Sequence, residues 1–309
     1  MTVAYIFLMN NILIVGTGAL ATLFAARLTE AGHTITMLGT WKEGLDALNK
    51  HGARLIDSNG KEKQFKIQAT DDLRDCLDAW HVIVLVKAWQ TERVAKQLVE
   101  YLAKDGVVLT LQNGLGNYET LAQYLGNNRI ILGTITIGAT LLEAGLVKEG
   151  GEGTISIEQN QALGPLEAAL QSAKFKVEIV EDAQSLVWGK LLINAAINPL
   201  TALLRVTNGE LLERPSAREM MERLAQEVAQ VARAENIKLP FIDPIAAAVE
   251  VARKTAANRS SMLQDVLRGA PTEINAICGA VVRTAQKYGV ETPVNWACWK
   301  LVKALEING

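Results

Sequence analysis

Short apolar runs alternate with helical patterns in the first part of the chain. The apolar run NILIV at 11–15 precedes a helical pattern that ends at Gly32, and a second apolar run, HTITML, follows at 33–38. Further apolar runs lie at 81–86, 107–112 and 129–136, with helical patterns between most of them. Continuous apolar runs rich in β-branched residues predict strands buried on both faces of a parallel sheet. The alternation predicts a doubly wound α/β domain with right-handed crossovers.

The pattern changes twice further along the chain. Residues 140–180 show short strand patterns and Gly-rich turns around one helix, and beyond residue 182 long helical patterns replace the strands. We therefore predict an α/β domain over residues 10–181 and an all-α domain over 182–309. The helical pattern from Pro271 to Gly289 places Glu273 near the start of a helix, where a negative charge is favourable.

A glycine-containing loop joins the first predicted strand to the first helix. It is a GxGxxA form of the dinucleotide fingerprint, made of Gly16, Thr17, Gly18, Ala19, Leu20 and Ala21. Gly16 permits the tight turn, Gly18 lets a pyrophosphate approach the backbone, and Ala21 allows close packing of helix on sheet. A plain strand–helix turn is the alternative, but the strand–turn–helix context is the one that nucleotide binding requires.

The end of the second strand bears on the cofactor. NAD-selective sites carry Asp or Glu there, roughly 20 residues after the loop, and this chain has neither at Thr40 or Lys42. Both side chains suit a 2′-phosphate, with Lys42 acting as a point charge, although Lys42 also fits a solvated lysine at a helix start. We therefore predict NADP as the cofactor, with NAD as the alternative.

Composition excludes several other classes of protein. The chain has 31 Lys+Arg and 33 Asp+Glu, so its net charge of −2 gives no reason to expect a nucleic-acid partner. Its three His and three Cys have no metal-ligand spacing, so we predict no metal site and no chemistry by imidazole or thiol. Three scattered cysteines suit the cytoplasm. The start at 1–8 is too short for a signal peptide or membrane span, so we expect no membrane association.

A row of polar residues interrupts the first long apolar helix of the second domain. Lys190, Asn194 and Asn198 recur at i, i+4 and i+8, so they share one helix face, and their neighbours are apolar. Polar side chains in such a setting need partners if they are buried. A solvated stripe is the alternative, but the apolar flanks leave little polar face for it.

Several segments together resemble one family. GTGALA, LVKAWQ at 85–90, LQNGLGN at 111–117, KLLINAAINPLTAL at 190–203, NGEL at 208–211, and NRSSMLQD at 258–265 with TEI at 272–274 occur in the order of ketopantoate reductases. The resemblance runs from about residue 10 to the end. It implies a Rossmann-type domain, a C-terminal domain like that of 6-phosphogluconate dehydrogenase, and NADPH-dependent reduction of 2-dehydropantoate to (R)-pantoate in pantothenate biosynthesis.

The resemblance also implies roles for individual residues of the second domain. Lys190 matches the family's general acid, and Glu273 an active-site glutamate near that lysine and the cofactor ribose. Burial lowers the pKa of an ammonium toward working pH, which makes it a better donor. The implied substrate ligands are Asn113, Asn194, Asn198, Asn208, Asn258 and Ser261. Asp265 also matches a family position, which we interpret as structural, and Asn208 fits a plain Asn-Gly turn as well.

In the first domain, Lys87 and Gln90 match family positions at the cofactor phosphates and ribose, and Asn113 one between ribose and substrate. They follow buried strands, at whose carboxyl ends ligands bind in open α/β sheets. Thr40 departs from the family, because many members carry Arg there. The implied active site lies in a cleft between the two domains.

Three functions follow as hypotheses. The leading one is an NADPH-dependent ketopantoate reductase, and the second is a related reductase of another 2-oxo acid or an imine. The third, from a different class, is a non-catalytic nucleotide sensor. Whether the last helices, with Trp296, Trp299 and Leu301, pack in the core or form a homodimer interface stays open.

Overall fold

Continuous apolar runs along the strands build a sheet that is buried on both faces. The computed structural model describes residues 11–57 and 59–306; residues 1–10, which hold the start of the predicted first domain, lie outside them. Ile12 and Ile14 of the first strand point into one buried cluster, and Leu13 and Val15 point into another on the opposite face. Helices cover both faces, as a doubly wound sheet requires.

The described residues divide into two compact units. The sheet unit comprises the described residues up to Val86, with Gln90–Gln112 and Asn117–Ala183. The helical unit comprises the described residues from Gln184 onward together with Lys87–Trp89 and Asn113–Gly116. These two short segments fall within the predicted first domain, yet they pack with the helical unit because their backbone and side chains bond to its residues.

The sheet unit holds one large sheet and one small one. The strands are β1 Asn11–Val15, β2 Thr34–Leu38, β3 Ala53–Ile56, β4 Glu62–Phe65, β5 Gln68–Thr70, β6 Ala79–Val84, β7 Leu102–Thr110, β8 Ile130–Ile135, β9 Ala139–Glu143, β10 Leu146–Glu149, β11 Thr154–Glu158 and β12 Lys176–Val180. The large sheet has the order β12-β11-β8-β7-β6-β1-β2-β5, and the small one β4-β3-β10-β9. All neighbours in the large sheet are parallel except β8 and β11.

Helices connect these strands and form nearly all of the regular structure of the other unit. In the sheet unit they are α1 Ala19–Glu30, α2 Lys42–His51, α3 Thr91–Tyr101, α4 Asn117–Leu125 and α5 Gly164–Ser172. The long helix α6, Ala183–Leu204, begins at the end of the sheet unit. The helical unit continues with α7 Glu210–Glu213, α8 Pro215–Ala234, α9 Pro244–Lys254, α10 Ser261–Leu267, α11 Cys278–Tyr288 and α12 Pro293–Leu305. Short 3₁₀ turns lie at Leu73–Cys76, Ala88–Gln90 and Asn127–Arg129.

Helix α6 is the core helix of the helical unit. Within the described part of the chain it alone is long and apolar enough to cross a membrane, but 67% of its most apolar window is buried inside the protein. On α12, by contrast, Trp296 and Leu301 are 52% and 54% exposed, and Trp299 is half-buried with its indole N–H donating to Asn275 Oδ1 at 2.7 Å. Trp296 and Leu301 therefore do not belong to the core of this unit.

Candidate functional site

The glycine loop of the sheet unit has the geometry of a phosphate cradle. Gly16 has φ +136°, its N–H donates to Leu38 O at 2.8 Å, and a Cβ there would lie 3.1 Å from the Leu85 backbone. Gly18 is exposed, directly precedes α1, and a Cβ there would meet no atom within 4 Å. No side chain caps this helix start. Its first backbone N–H groups and the positive helix end thus suit an anionic pyrophosphate.

The other loop residues support that shape. Thr17 is buried and packs against Gly39, where a Cβ would lie 2.6 Å from the Thr17 methyl carbon. Ala19 and Leu20 are half-buried in the first turn of α1, and Ala21 is fully buried against the sheet. The residues present therefore fit a dinucleotide, with only small side chains where the helix approaches the strands.

The predicted cofactor-selecting residues lie on the surface of the sheet unit. Thr40 and Lys42 are exposed at the end of β2 and the start of α2. Gln90 is half-buried, and its Oε1 accepts a hydrogen bond from Arg93 Nη2 at 2.8 Å. Between the end of β2 and Lys42 the chain has a hydroxyl and a cation but no carboxylate, and Glu43 follows in the first turn of α2. The hydroxyl and the cation are compatible with a 2′-phosphate.

In the helical unit, α6 places the predicted polar row beside a packed apolar face. Lys190 and Asn194 are half-buried and Asn198 is 7% exposed, while the residues between them fill the core. Thr201, three residues further, continues the same face, and its hydroxyl lies 2.7 Å from Ser260 Oγ. The row is therefore a partly buried polar strip and not a solvated stripe.

Lys190 is the titrating group of this strip. Burial lowers the pKa of its ammonium to about 8, and the nearby carboxylate of Glu273 opposes part of that shift. A lysine with a pKa near 8 is mostly protonated at neutral pH, yet it gives up its proton far more readily than a solvated lysine. Lys190 is thus suited to proton transfer.

Glu273 lies in a turn, so the prediction that it starts a helix was wrong: α11 begins only at Cys278. Its carboxylate is 5% exposed and accepts hydrogen bonds from the Ala88 N–H at 3.2 Å and Asn113 Nδ2 at 3.1 Å. Because those donors approach from other segments, the carboxylate is fixed by them and not by a helix N-terminus.

Asn113 is held against the same turn. Leu115 N–H donates to Ala276 O at 2.9 Å, and a Cβ on Gly114, whose φ is +85°, would lie 2.5 Å from that oxygen. Only a glycine permits this close approach of the two backbones. The turn after β7 thereby carries the Asn113 amide onto the Glu273 carboxylate.

Lys87 makes two ionic contacts in the helical unit. Its Nζ lies 2.6 Å from Asp265 Oδ2 and 3.6 Å from Glu273 Oε2. Burial lowers the pKa of Lys87, but Glu273 and Asp265 together outweigh that effect and raise the pKa above its usual value. Lys87 therefore stays protonated and positively charged beside Glu273.

The remaining predicted substrate ligands surround the start of α10 and the NGEL turn. Ser261 and Asn258 are exposed, and the preceding Ser260 is buried and accepts the Leu263 N–H as the helix cap. Asn208 is 7% exposed; its N–H donates to Asn258 O at 3.0 Å and its Nδ2 to Thr255 Oγ1 at 2.9 Å. Its buried Oδ1 has no hydrogen-bond partner in the structure. The structure thus brings Asn208 and Asn258 together.

Sequence reasoning missed some of the groups that shape the site. Thr201 follows Asn198 in helical register and could have been included on that ground, whereas the Ala88 N–H is a backbone donor with no sequence signal. Asp265, which we interpret as structural from the sequence, is 2% exposed and bonds to the Lys87 that faces Glu273. Only the tertiary fold reveals such a pairing, because the two residues are 178 positions apart.

Thiol and imidazole chemistry has little support in the described residues. Cys76, Cys278 and Cys298 are buried, and burial raises the pKa of each thiol, to about 11 for Cys76 and Cys298. Burial lowers the pKa of His33 and His81. Over residues 11–57 and 59–306 no group of three His, Cys, Asp or Glu side chains is placed to hold a metal ion.

Comparison with known proteins identifies relatives along nearly the whole chain. The family described as "Ketopantoate reductase PanE/ApbA" matches residues 12–162, and its C-terminal domain matches residues 182–306. The chain is 37% identical over 302 residues to 2-dehydropantoate 2-reductase of Archaeoglobus fulgidus, which spans 96% of this chain and 98% of that protein. It is 33% identical over 305 residues to the enzyme of the same name from Halobacterium salinarum, spanning 97% and 100%.

Solved structures show the same fold. A PanE/ApbA family ketopantoate reductase from Ralstonia eutropha superposes with a TM-score of 0.89, at 29% identity over 96% of this chain and 98% of the other. A D-mandelate dehydrogenase, solved with NADH and anilino(oxo)acetate, superposes with a TM-score of 0.89, at 27% identity and the same coverage. The predicted fold class, a parallel α/β domain followed by a helical domain, is confirmed.

Proposed function

Since this chain belongs to the ketopantoate reductase PanE/ApbA family, we propose that it reduces 2-dehydropantoate to (R)-pantoate with a nicotinamide cofactor. One observation carries the proposal: the half-buried Lys190, with a pKa of about 8, shares a helix face with Asn194 and Asn198 and is acted on by the Glu273 carboxylate. A proton donor flanked by amide groups suits a 2-oxo acid.

Lys190 and Glu273 of the helical unit each have a role in this reaction. When bound, the cofactor supplies the hydride that adds to the carbonyl carbon. Lys190 donates the proton that the carbonyl oxygen then needs, and its positive charge stabilises the negative charge that builds there. Glu273 keeps Lys190 charged, because its carboxylate raises the pKa that burial lowers.

The polar residues around Lys190 orient the substrate. Asn194 and Asn198 hydrogen-bond its hydroxyl and oxo groups, and Ser261, at the start of α10, binds its carboxylate. Asn208 offers a buried, unpartnered Oδ1, a group that is costly to leave unpaired and that suits a substrate hydroxyl. Asn258 adjoins it through the backbone hydrogen bond. Asn113 bonds to Glu273 and completes the substrate side.

The cofactor belongs to the sheet unit. The loop Gly16–Ala21 holds the pyrophosphate, Thr40 and Lys42 hold the 2′-phosphate of NADP, and Gln90 binds the ribose. We propose that the protein is a soluble cytoplasmic enzyme, because α6, the helix among the described residues that is apolar enough to span a membrane, is mostly buried in the protein.

A second candidate is the reduction of another 2-oxo acid, with an aromatic substituent, by NADH. Two points favour it: the family resemblance implies an Arg where this chain has Thr40, and the structurally similar D-mandelate dehydrogenase was solved with NADH. The reaction type is the same in both cases, so Lys190 keeps its role. The two candidates differ in the group attached to the oxo acid of the substrate and in whether the cofactor carries a 2′-phosphate.

A two-way assay tests both. The protein is mixed with NADPH or NADH and with ketopantoate, phenylglyoxylate or 2-oxoisovalerate, and cofactor oxidation is followed by absorbance. We expect ketopantoate with NADPH to have the highest kcat/KM. Faster oxidation of NADH with phenylglyoxylate would establish the second candidate. Cofactor binding without oxidation for any 2-oxo acid would indicate a nucleotide-sensing protein.

Substitution of Thr40 tests the site of the 2′-phosphate. In Thr40→Arg, a guanidinium at this exposed position adds a charge-assisted pair to the phosphate, and we expect the preference for NADPH over NADH to rise about tenfold. Direct titration of both cofactors measures the ratio of Kd values. Lys42→Met is the matched control and should lower the same ratio. An unchanged ratio in both variants would place the 2′-phosphate elsewhere.

A further inference from the structure

Asp265 is a buried charge that the proposed reaction does not yet use. Its side chain on α10 is 2% exposed, and its two carboxylate oxygens bond to two cations: Lys87 Nζ at 2.6 Å and Arg268 Nη2 at 2.8 Å. An isolated carboxylate at this depth is costly, so its partners must be held close. Arg268 is the outer partner, with 48% of its side chain exposed, and Lys87 is the inner one, at 33%.

The inner partner connects Asp265 to Glu273. The two buried carboxylates share the Lys87 ammonium, which lies 2.6 Å from Asp265 and 3.6 Å from Glu273. The next residue, Ala88, donates its N–H to the other oxygen of Glu273 at 3.2 Å. Two consecutive residues thus hold Glu273, one by charge and one by hydrogen bond, and Asp265 fixes the first of them.

We propose that Asp265 is a positioning residue of the reaction: through its bond to Lys87 it fixes the ammonium and the Ala88 N–H that orient Glu273, whose charge acts on Lys190. The proposal rests on the proposed reductase function. It gives Lys87 a task beside Glu273, in contrast to the cofactor phosphate contact that the family resemblance implies. Helix α10 then carries two functions, with Ser261 at its first turn and Asp265 one turn further along.

A double-mutant cycle on the full chain tests this role. The variants are Asp265→Asn, Lys87→Met and their combination, with Lys87→Arg as the conservative variant and Arg268→Met as the matched control that removes the outer cation only. Three quantities are measured for each: kcat at saturating ketopantoate and NADPH, KM for ketopantoate, and the Kd and stoichiometry of NADPH from its fluorescence.

We expect Asp265→Asn and Lys87→Met each to lower kcat at least about tenfold, and the double variant to lose no more than the worse single one. NADPH should bind one per chain with a Kd within about twofold of wild type, which a general loss of folding would not allow. Lys87→Arg should recover part of kcat, and Arg268→Met should stay within about twofold of wild type.

Three results would overturn the proposal. One is an Asp265→Asn variant that binds NADPH and keeps its kcat. A second is strict additivity of the two single effects. The third is a Lys87→Met variant with an unchanged kcat and an NADPH Kd raised tenfold, which would make Lys87 a cofactor ligand. If Asp265→Asn does not fold, Lys87→Met and Lys87→Arg decide the matter. A wild-type protein inactive on every 2-oxo acid would instead refute the proposed function itself.

Discussion

The variant Lys190→Ala should retain the cofactor but lose nearly all turnover. General acid catalysis by a positioned side chain contributes about 10²–10⁴-fold, and removal of Lys190 also deletes the positive charge that meets the developing oxyanion. We therefore expect kcat to fall about a thousandfold or more. The Kd of NADPH should stay within about twofold of wild type, because the phosphate cradle belongs to the sheet unit. Steady-state kinetics with a parallel fluorescence titration measures both.

The pH dependence of the wild-type rate gives an independent check on the role of Lys190. The pKa of Lys190 is lowered to about 8, and the reduction needs the protonated form. The wild-type rate of reduction should therefore fall as the pH rises through about 8, while the reverse oxidation of pantoate, which needs the neutral amine, should rise over the same range. Lys190→Arg is the control, since a guanidinium keeps the charge but does not release a proton near pH 8.

Two outcomes would contradict the role of Lys190. A Lys190→Ala enzyme with a normal kcat would remove it from proton transfer. A Lys190→Arg enzyme as fast as wild type would show that charge alone is needed and that the proton comes from another group.

The variant Gly18→Val should fold normally and bind almost no cofactor. Gly18 has an ordinary φ of −85°, and a Cβ there meets no protein atom within 4 Å, so the substitution costs the fold little. The new side chain would instead stand where a pyrophosphate must approach the backbone at the start of α1. We expect the Kd of NADPH to rise at least about a hundredfold, which is about 2.7 kcal/mol, with the melting temperature within about 2 °C of wild type.

Gly164→Ala provides the matched control for this variant. Gly164 is a second exposed glycine at a helix start whose Cβ would meet nothing within 4 Å, and it lies outside the cradle. Its variant should keep both the melting temperature and the cofactor affinity. If Gly18→Val bound NADPH with wild-type affinity, the pyrophosphate would not contact this loop.

Much of the fold could be predicted because the sheet is buried on both faces. The runs at 11–15 and 81–86 carry no polar residue that would hide the strand signal, apart from Asn11 and His81 at their starts, and the structure places strands at Asn11–Val15 and Ala79–Val84. Helix α6 was equally easy to predict, since apolar residues at helical spacing continue on both sides of Pro199. Long elements with a strong apolar pattern can thus be predicted from their own sequence alone.

The small sheet could not be predicted in this way. Strand β4, with the sequence EKQF, is exposed or half-buried throughout and has no apolar face. Its neighbour β3 pairs with β10 through residues about ninety positions apart, such as Arg54 and Leu146. Such a pairing depends on the tertiary fold, and short polar strands give no periodic signal of their own.

The residues of the candidate site differ in the same way: those with a local pattern could be predicted, and those defined by distant partners could not. Lys190, Asn194 and Asn198 were found because helical periodicity puts them on one face. Glu273 was placed in the wrong element, because the pattern from Pro271 onward fits a helix as long as the donors from Ala88 and Asn113 are unknown. Asp265 was set aside as structural for the same reason: its partner Lys87 lies far away in sequence.

Transfer of an isotope label tests the central claim most directly. The protein is mixed with ketopantoate and NADPH that carries deuterium at the transferable position of the nicotinamide ring, and the acid product is analysed by mass spectrometry. We expect (R)-pantoate with one deuterium at the former carbonyl carbon from the wild-type protein, and almost none from Lys190→Ala in the same time. Unlabelled pantoate, or no pantoate at all from the wild-type protein, would contradict it.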